Sequence, residues 1–268
     1  MAHLYKGMSE VKAKKHLGQH FLTDKNIAEK IVNSLVHHEK YDKVLEVGPG
    51  MGILSDFLLQ KAAYDAYLID IDTESFNFLQ KKYPALGDRL LNEDFLQLNF
   101  ASVFPSVFAI IGNFPYNISS QILFKILDNR NQVPEVVGMF QKEVAERCTA
   151  KPGSKEYGIL SVFLQAYYKC EYLFTVKAGV FNPPPKVLSA VIRLSRNEIK
   201  ELDCNEKLFW QVVKAGFNQR RKTLSNALSG IIPKNKQNED LVWTLRAERL
   251  SVKDFVELTN LIERSNAN

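Results

Sequence analysis

The chain has little cysteine, and what it has is scattered: Cys148, Cys170 and Cys204 in 268 residues. An odd, widely spaced set makes neither a disulfide framework nor a metal-ligand pattern, so a reducing cytoplasm and no metal are expected. Long apolar runs are also absent. None approaches the ~20 residues of a membrane span, and the polar, lysine-bearing start has no apolar signal core, so neither membrane insertion nor secretion is expected. The dinucleotide fingerprint G-x-G-x-x-G and the Walker lysine are missing. No internal repeat or low-complexity segment is found. Acidic residues are missing from Leu208 to Asn238, a stretch that holds Lys214, Arg220, Arg221, Lys222, Lys234 and Lys236. Such a stretch suits phosphate binding that weakens with salt; the plainer reading is a solvated helix face. Lys6, Lys12, Lys14 and Lys15 form a second basic arm, although the net charge is only +5.

What is present reads as an ordinary globular chain, 46% hydrophobic and 24% charged, long enough for one larger domain and a small one. Asp24 is placed to cap a helix running to about residue 40. Strands and helices then alternate to about residue 150, the pattern of a parallel sheet with crossover helices. Segments 168–176 and 187–194 read as late strands that finish the sheet with an antiparallel edge. After Ser195 the pattern is helical, over 207–218, 223–228, 240–245 and 252–262, with 264–268 frayed. The expectation is an α/β, Rossmann-like sheet in residues 1–195 and a small helical domain in 196–268.

Two loops carry chemistry. Lys43–Val47 reads as a buried strand, followed at once by Gly48-Pro49-Gly50-Met51-Gly52 and then by a helix. Glycines there permit close backbone approach to a ligand. Glu46 before the loop suits a cationic ligand better than a pyrophosphate. Asp70 ends the second strand and Asp94 follows the third. Such acids can accept from ribose hydroxyls and from an adenine amine, although a lone Asp after a strand is more often a helix cap. The second loop is Asn113-Phe114-Pro115-Tyr116, just past the apolar run 107–112. Pro115 pushes Phe114 extended, leaving its carbonyl as an acceptor beside the Asn113 amide oxygen. Tyr116 adds a flat face. Two acceptors and a stacking platform are what an exocyclic amine on a planar base requires; the bland alternative is a strand-to-helix turn.

Further segments complete a pattern: Lys14-Lys15-His16-Leu17-Gly18-Gln19-His20-Phe21-Leu22, 141–147, 153–162, 181–187 and 218–224. With the two loops they resemble the bacterial small-subunit rRNA adenine N6,N6-dimethyltransferases, from about Lys14 to about Leu228. The resemblance implies a class I methyltransferase fold, S-adenosylmethionine as cofactor, and methylation of two adjacent adenines near the 3′ end of 16S rRNA. It implies a cytoplasmic monomer acting on an assembling 30S particle. Catalysis falls to Asn113, Phe114, Pro115, Tyr116 and Phe181. Phe181, otherwise readable as a packing residue, faces Tyr116 across an extruded adenine. Cofactor contacts fall to His20, Leu22, Gly48, Gly50 and Asp70, and to Ile71, Asp94, Phe95 and Asn113. RNA contacts fall to Arg147, Lys186, Arg220, Arg221 and Lys222. The chain departs from the usual pattern at His20 (often Asn), Asp70 (often Glu), Ser55 (often Thr) and Leu188 (often polar). Two other readings stay open: an enzyme methylating large-subunit rRNA, and a ribosome-assembly or transcription factor in which catalysis is secondary. Segments 152–162 and 218–224 favour the small-subunit reading.

Overall fold

The strand Lys43–Val47 is buried on both faces, as its continuous apolar run requires of a central parallel strand. It is the second of nine in this computed structural model, which describes residues 11–237 and 240–267. Lys6 and Asn268 lie outside the described residues. The strands are β1 Phe21–Leu22, β2 Lys43–Val47, β3 Asp65–Ile69, β4 Leu90–Leu91, β5 Ala109–Asn113, β6 Glu135–Gln141, β7 Tyr168–Val176, β8 Phe181–Asn182 and β9 Ser189–Arg196. Seven form one sheet, in the order β4-β3-β2-β5-β6-β9-β7. Strands β4, β3, β2, β5 and β6 are parallel in sequence along it. β9 runs antiparallel to β6, from Gln141↔Ser189 to Glu135↔Ser195. The order reverses between β2 and β5, and the crevice at the carboxyl ends there is where open α/β sheets bind ligands. The expected mostly parallel sheet, finished by two late strands of which β9 is antiparallel to β6, is what the chain forms.

Two expectations change. The helix expected from 24 to about 40 stops at Val32: Lys25–Val32 is capped by Asp24, whose carboxylate accepts from Asn26 N and Ile27 N. A 3₁₀ turn, His38–Lys40, follows. The cause is the buried Glu135 carboxylate, which accepts from Val36 N at 3.1 Å and His37 N at 3.1 Å, so these amides are not left for an i−4 carbonyl. Tyr41 Oη donates to the same carboxylate at 2.6 Å. At the other end, residues expected to fray belong to the helix Val252–Ala267, and Asn266 Nδ2 donates to the Ile231 carbonyl at 3.3 Å.

The contacts divide the described residues into two units, 11–145 with 171–196, and 146–170 with 197–237 and 240–267. Segment 146–170, expected with the sheet, therefore groups with the C-terminal helices. Its helix Ile159–Tyr167 lays Phe163 against Trp210, ring centroids 3.7 Å apart. Tyr167 Oη donates to Glu206 Oε1 at 2.6 Å. In the first unit the core beside the sheet includes Ile31, Leu54, Ile111, Val137 and Val191. Among the described residues no helix is long and apolar enough to cross a membrane.

Candidate active site

The glycine loop leaves β2 in a conformation that side chains resist. Gly48, Gly50 and Gly52 have φ of 68°, 56° and 77°, the left-handed region. At Gly50 an added Cβ would also stand 2.7 Å from the Phe21 ring. The loop is held open by its neighbours: Gly48 N donates to the Ile69 carbonyl at 2.9 Å, and Gly50 N to Asp70 Oδ2 at 3.1 Å. Asp72 N donates to the other Asp70 oxygen at 2.9 Å. Asp70 is only 5% exposed. Burial raises its pKa to about 6, against the pull of those two backbone donors.

These residues line one cavity with Ile71, Asp94, Phe95 and the Asn113–Tyr116 loop. Ile71 is exposed at its mouth and Phe95 is buried in its wall. Asp94 closes a turn by accepting from Leu96 N at 2.9 Å. Glu46 does not line this cavity. It is buried and accepts from Ser55 Oγ at 2.6 Å, and burial pushes its pKa up to about 8. It lines a small adjoining cavity with Gly48 and Asn113.

The second loop is clamped from both sides. Phe114 N donates to the Met139 carbonyl at 3.1 Å. Its ring is buried over Gly138 and Gly112 and beside Phe140, 4.9 Å between ring centroids. Among the described residues nothing donates to the Phe114 carbonyl. Asn113 ends β5, and its Nδ2 donates to the His20 carbonyl at 2.8 Å. That bond fixes the amide and leaves Oδ1 as the acceptor. Tyr116 Oη shares a short hydrogen bond with Ser189 Oγ.

Segment 11–22 forms another wall. Lys14 pairs with Asp72 and with Glu74, the latter at 3.3 Å. Gln19 Nε2 donates to Asp72 at 3.2 Å. The His20 ring lies 5.3 Å from the Tyr116 ring at 30°, and its Nδ1 is 2.7 Å from the Pro183 carbonyl. Leu22 lines the same small adjoining cavity as Glu46, with Gly48 and Asn113, whereas Phe181 stands elsewhere. β1 pairs with β8, setting Leu22 opposite Phe181. Both side chains are in the core, 3% and 4% exposed. Phe181 therefore does not face Tyr116; the ring that does is His20. Lys14, Gln19, Ser189 and the Pro183 carbonyl are site-building groups that sequence reading did not assign. Only the β6–β9 register brings Ser189 near Tyr116, and nothing local in the sequence signals that.

Of the basic residues, Arg220, Arg221 and Lys222 are exposed on the turn after helix Glu206–Asn218. Arg220 donates to the Lys155 carbonyl. Arg147 is exposed on helix Lys142–Thr149. Lys186, in the first unit, is exposed beside a second cavity.

Comparison with known proteins agrees with this architecture. The ribosomal RNA adenine dimethylase family matches residues 10–264. A ribosomal RNA small subunit methyltransferase A of Cytophaga hutchinsonii is 58% identical over 255 residues, covering 95% of this chain and 99% of that protein. The crystal structure of a dimethyladenosine transferase from Plasmodium falciparum superposes with a TM-score of 0.76 at 27% identity, covering 92% of this chain and 98% of that one. The 23S rRNA methyltransferase ErmE shares the fold, with a TM-score of 0.68 at 24% identity over 90% and 99% of the two chains.

Proposed function

The chain belongs to the ribosomal RNA adenine dimethylase family, and on that premise we propose that it methylates two adjacent adenines near the 3′ end of small-subunit rRNA. Each adenine receives two methyl groups at N6 from S-adenosylmethionine, on an assembling 30S particle in the cytoplasm, and the enzyme acts as a monomer. The observation that carries this reading is the Asn113 amide. It is pinned through Nδ2 so that Oδ1 and the Phe114 carbonyl are both left as acceptors at one cavity.

The residues present fit the cofactor. The left-handed glycine loop lies against the Phe21 ring, so closely that a Cβ at Gly50 would collide with it. The cavity wall carries Asp70, Glu93 and Asp94 and, among the described residues, no Lys or Arg. An acidic, apolar-floored cavity suits a cationic nucleoside. Asp70 would hold the ribose hydroxyls, Asp94 the adenine amine, and Ile71 and Phe95 the faces of the base; Gly48, Gly50 and the half-buried His20 line the rest. When bound, the cofactor supplies an electrophilic methyl group on a sulfonium.

The protein's own part is to hold and polarise the target amine. An adenine amine is a poor nucleophile because its lone pair is delocalised into the ring. Two acceptors gripping its hydrogens favour a tetrahedral nitrogen and localise that pair. Tyr116 holds the base by stacking, worth ~1–3 kcal/mol, which offsets the cost of extruding one nucleotide. Pro115 keeps the Phe114 carbonyl aimed outward. Water or Asn113 Oδ1 accepts the proton that the amine releases. Phe181 serves by anchoring β8 to β1, and so positions the Pro183 carbonyl that holds His20. Arg147, Arg220, Arg221 and Lys222 contact RNA phosphates from the second unit, and Lys186 does so from the first.

Incubating the protein with labelled S-adenosylmethionine and small or large subunits from cells lacking it tests the reading. Label in small-subunit rRNA alone is expected. Label in large-subunit rRNA, or cofactor binding with no transfer, overturns it.

A further inference from the structure

Asp72 is a buried acid, 4% exposed, two residues past Asp70, yet it does not line the cofactor cavity. Part of its bonding is local. It caps the helix Thr73–Lys82 by accepting from Glu74 N at 3.1 Å and from Ser75 Oγ at 3.3 Å. The rest reaches far along the chain. Its Oδ1 pairs with the Lys14 ammonium, and its Oδ2 accepts from Gln19 Nε2 at 3.2 Å. Lys14 N in turn donates to Gln19 Oε1 at 2.8 Å, so Lys14, Gln19 and Asp72 close a ring of three bonds. A helix cap requires neither the lysine nor the glutamine. Lys14 does not line the cofactor cavity either, and its ammonium is shared between Asp72 and Glu74.

The ring fixes the turn between its members. Leu17 N donates to the Lys14 carbonyl and Gly18 N to the Lys15 carbonyl, each at 3.1 Å, and Gly18 takes the left-handed φ of 65° that the turn needs. The residue after Gln19 is His20, whose carbonyl holds Asn113 Nδ2 at 2.8 Å. A terminal amide torsion is soft, so Asn113 Oδ1 is held only as well as the carbonyl to which Nδ2 donates. On the other side of the ring, Asp72 N donates to Asp70 Oδ1 at 2.9 Å. Bonded groups therefore run without a break from the acid assigned to the ribose to the amide assigned to the target amine. We propose that Lys14 and Asp72 are positioning residues for methyl transfer: through Gln19 they fix the His20 carbonyl, and through that carbonyl the Asn113 acceptor. This rests on the rRNA reading above and deepens it. An acceptor set in advance needs no reorganisation when the amine becomes tetrahedral.

The test is single-turnover methyl transfer to assembling small subunits, with S-adenosylmethionine and subunits both saturating. Lys14→Ala and Asp72→Asn are compared in the wild type and in Asn113→Ala. Asn caps a helix as well as Asp does, so Asp72→Asn removes the charge and keeps the cap. Each change should slow the wild type by about tenfold or more, since a 1 Å misplacement costs about 10²-fold. In Asn113→Ala each should cost less than about twofold more, because the amide through which they act is already gone. Lys14→Arg keeps the ion pair and should restore most of the rate. The salt dependence of subunit affinity should not change in Lys14→Ala. A slope lower by about one unit would assign Lys14 to an RNA phosphate and overturn the positioning role. Equal losses in both backgrounds, the mark of general damage to the fold, would also overturn it, as would a full rate in Lys14→Ala; all three leave rRNA methylation intact. A wild type that transfers no methyl group to small subunits overturns the parent reading and this one with it.

Discussion

Gly138→Ala should disable the site without touching any group that meets substrate. Gly138 pairs with Gly112 across β5 and β6, and the Phe114 ring lies over both. A Cβ on Gly138 would collide with one Phe114 ring carbon and stand 2.8 Å from another. The ring must therefore retreat by about 1 Å to reach ordinary contact. It has nowhere easy to go: Phe114 is 1% exposed, and Phe140 lies 2.6 Å from the same Cβ. Overpacking of this kind costs about 1–3 kcal/mol of stability. The larger effect should be on rate. Phe114 carries the carbonyl that holds the target amine, and a 1 Å misplacement costs about 10²-fold. Single-turnover methyl transfer and thermal unfolding should be measured together. The double variant Gly138→Ala with Phe114→Leu relieves the clash and should recover part of the lost stability and rate. A near-normal rate in Gly138→Ala, or a double variant worse than the product of the singles, would refute the idea that the ring sets the carbonyl.

Asn113→Ala should mostly lower kcat, because its acceptor gains most in the transition state, whereas Tyr116→Ala should mostly raise the apparent KM for subunits, since stacking acts in both states; equal effects on both constants would merge the two roles. Asp70→Ala should weaken S-adenosylmethionine binding at least tenfold by calorimetry, a lost charge-assisted bond costing ~1.5–3 kcal/mol. Because burial raises Asp70 from 3.8 to about 6, cofactor affinity should climb as pH rises through about 6, and Asp70→Asn should flatten that climb. Stability runs the other way: the native state holds an extra proton between those two values, so this contribution is present at the acid end and lost as pH rises through about 6. Replacing Arg220, Arg221 and Lys222 with Ala should lower the salt slope of RNA affinity by about one unit per lost phosphate contact and leave cofactor binding alone.

Local signals carried much of the architecture. Apolar runs over 43–47 and 135–140 mark strands because central parallel strands are buried on both faces. The glycine loop and the Asn113–Tyr116 turn are contiguous, so their chemistry can be read directly. What failed was long-range. Nothing near Phe181 says that it pairs with Leu22, 159 residues earlier in the chain; that pairing turns an expected stacking ring into a core side chain and leaves His20 beside Tyr116. The helix from Asp24 ends early because Glu135, 99 residues away from Val36, takes its amide. Segment 146–170 groups with the C-terminal helices through Phe163 and Tyr167, contacts that periodicity does not encode. Glu46 looked like a freely ionised acid in sequence, yet burial raises its pKa, against the hydrogen bond from Ser55.

The central claim is that this chain dimethylates adenine N6 in small-subunit rRNA through the Asn113 acceptor pair. The most direct measurement is mass-spectrometric mapping of modified adenines in rRNA from cells that lack the protein, complemented with wild type or with Asn113→Ala. The account predicts N6,N6-dimethyladenine at two adjacent positions near the 3′ end with the wild type, and at neither with Asn113→Ala made at equal level. Unmodified adenines with the wild type, or full modification with Asn113→Ala, would contradict it.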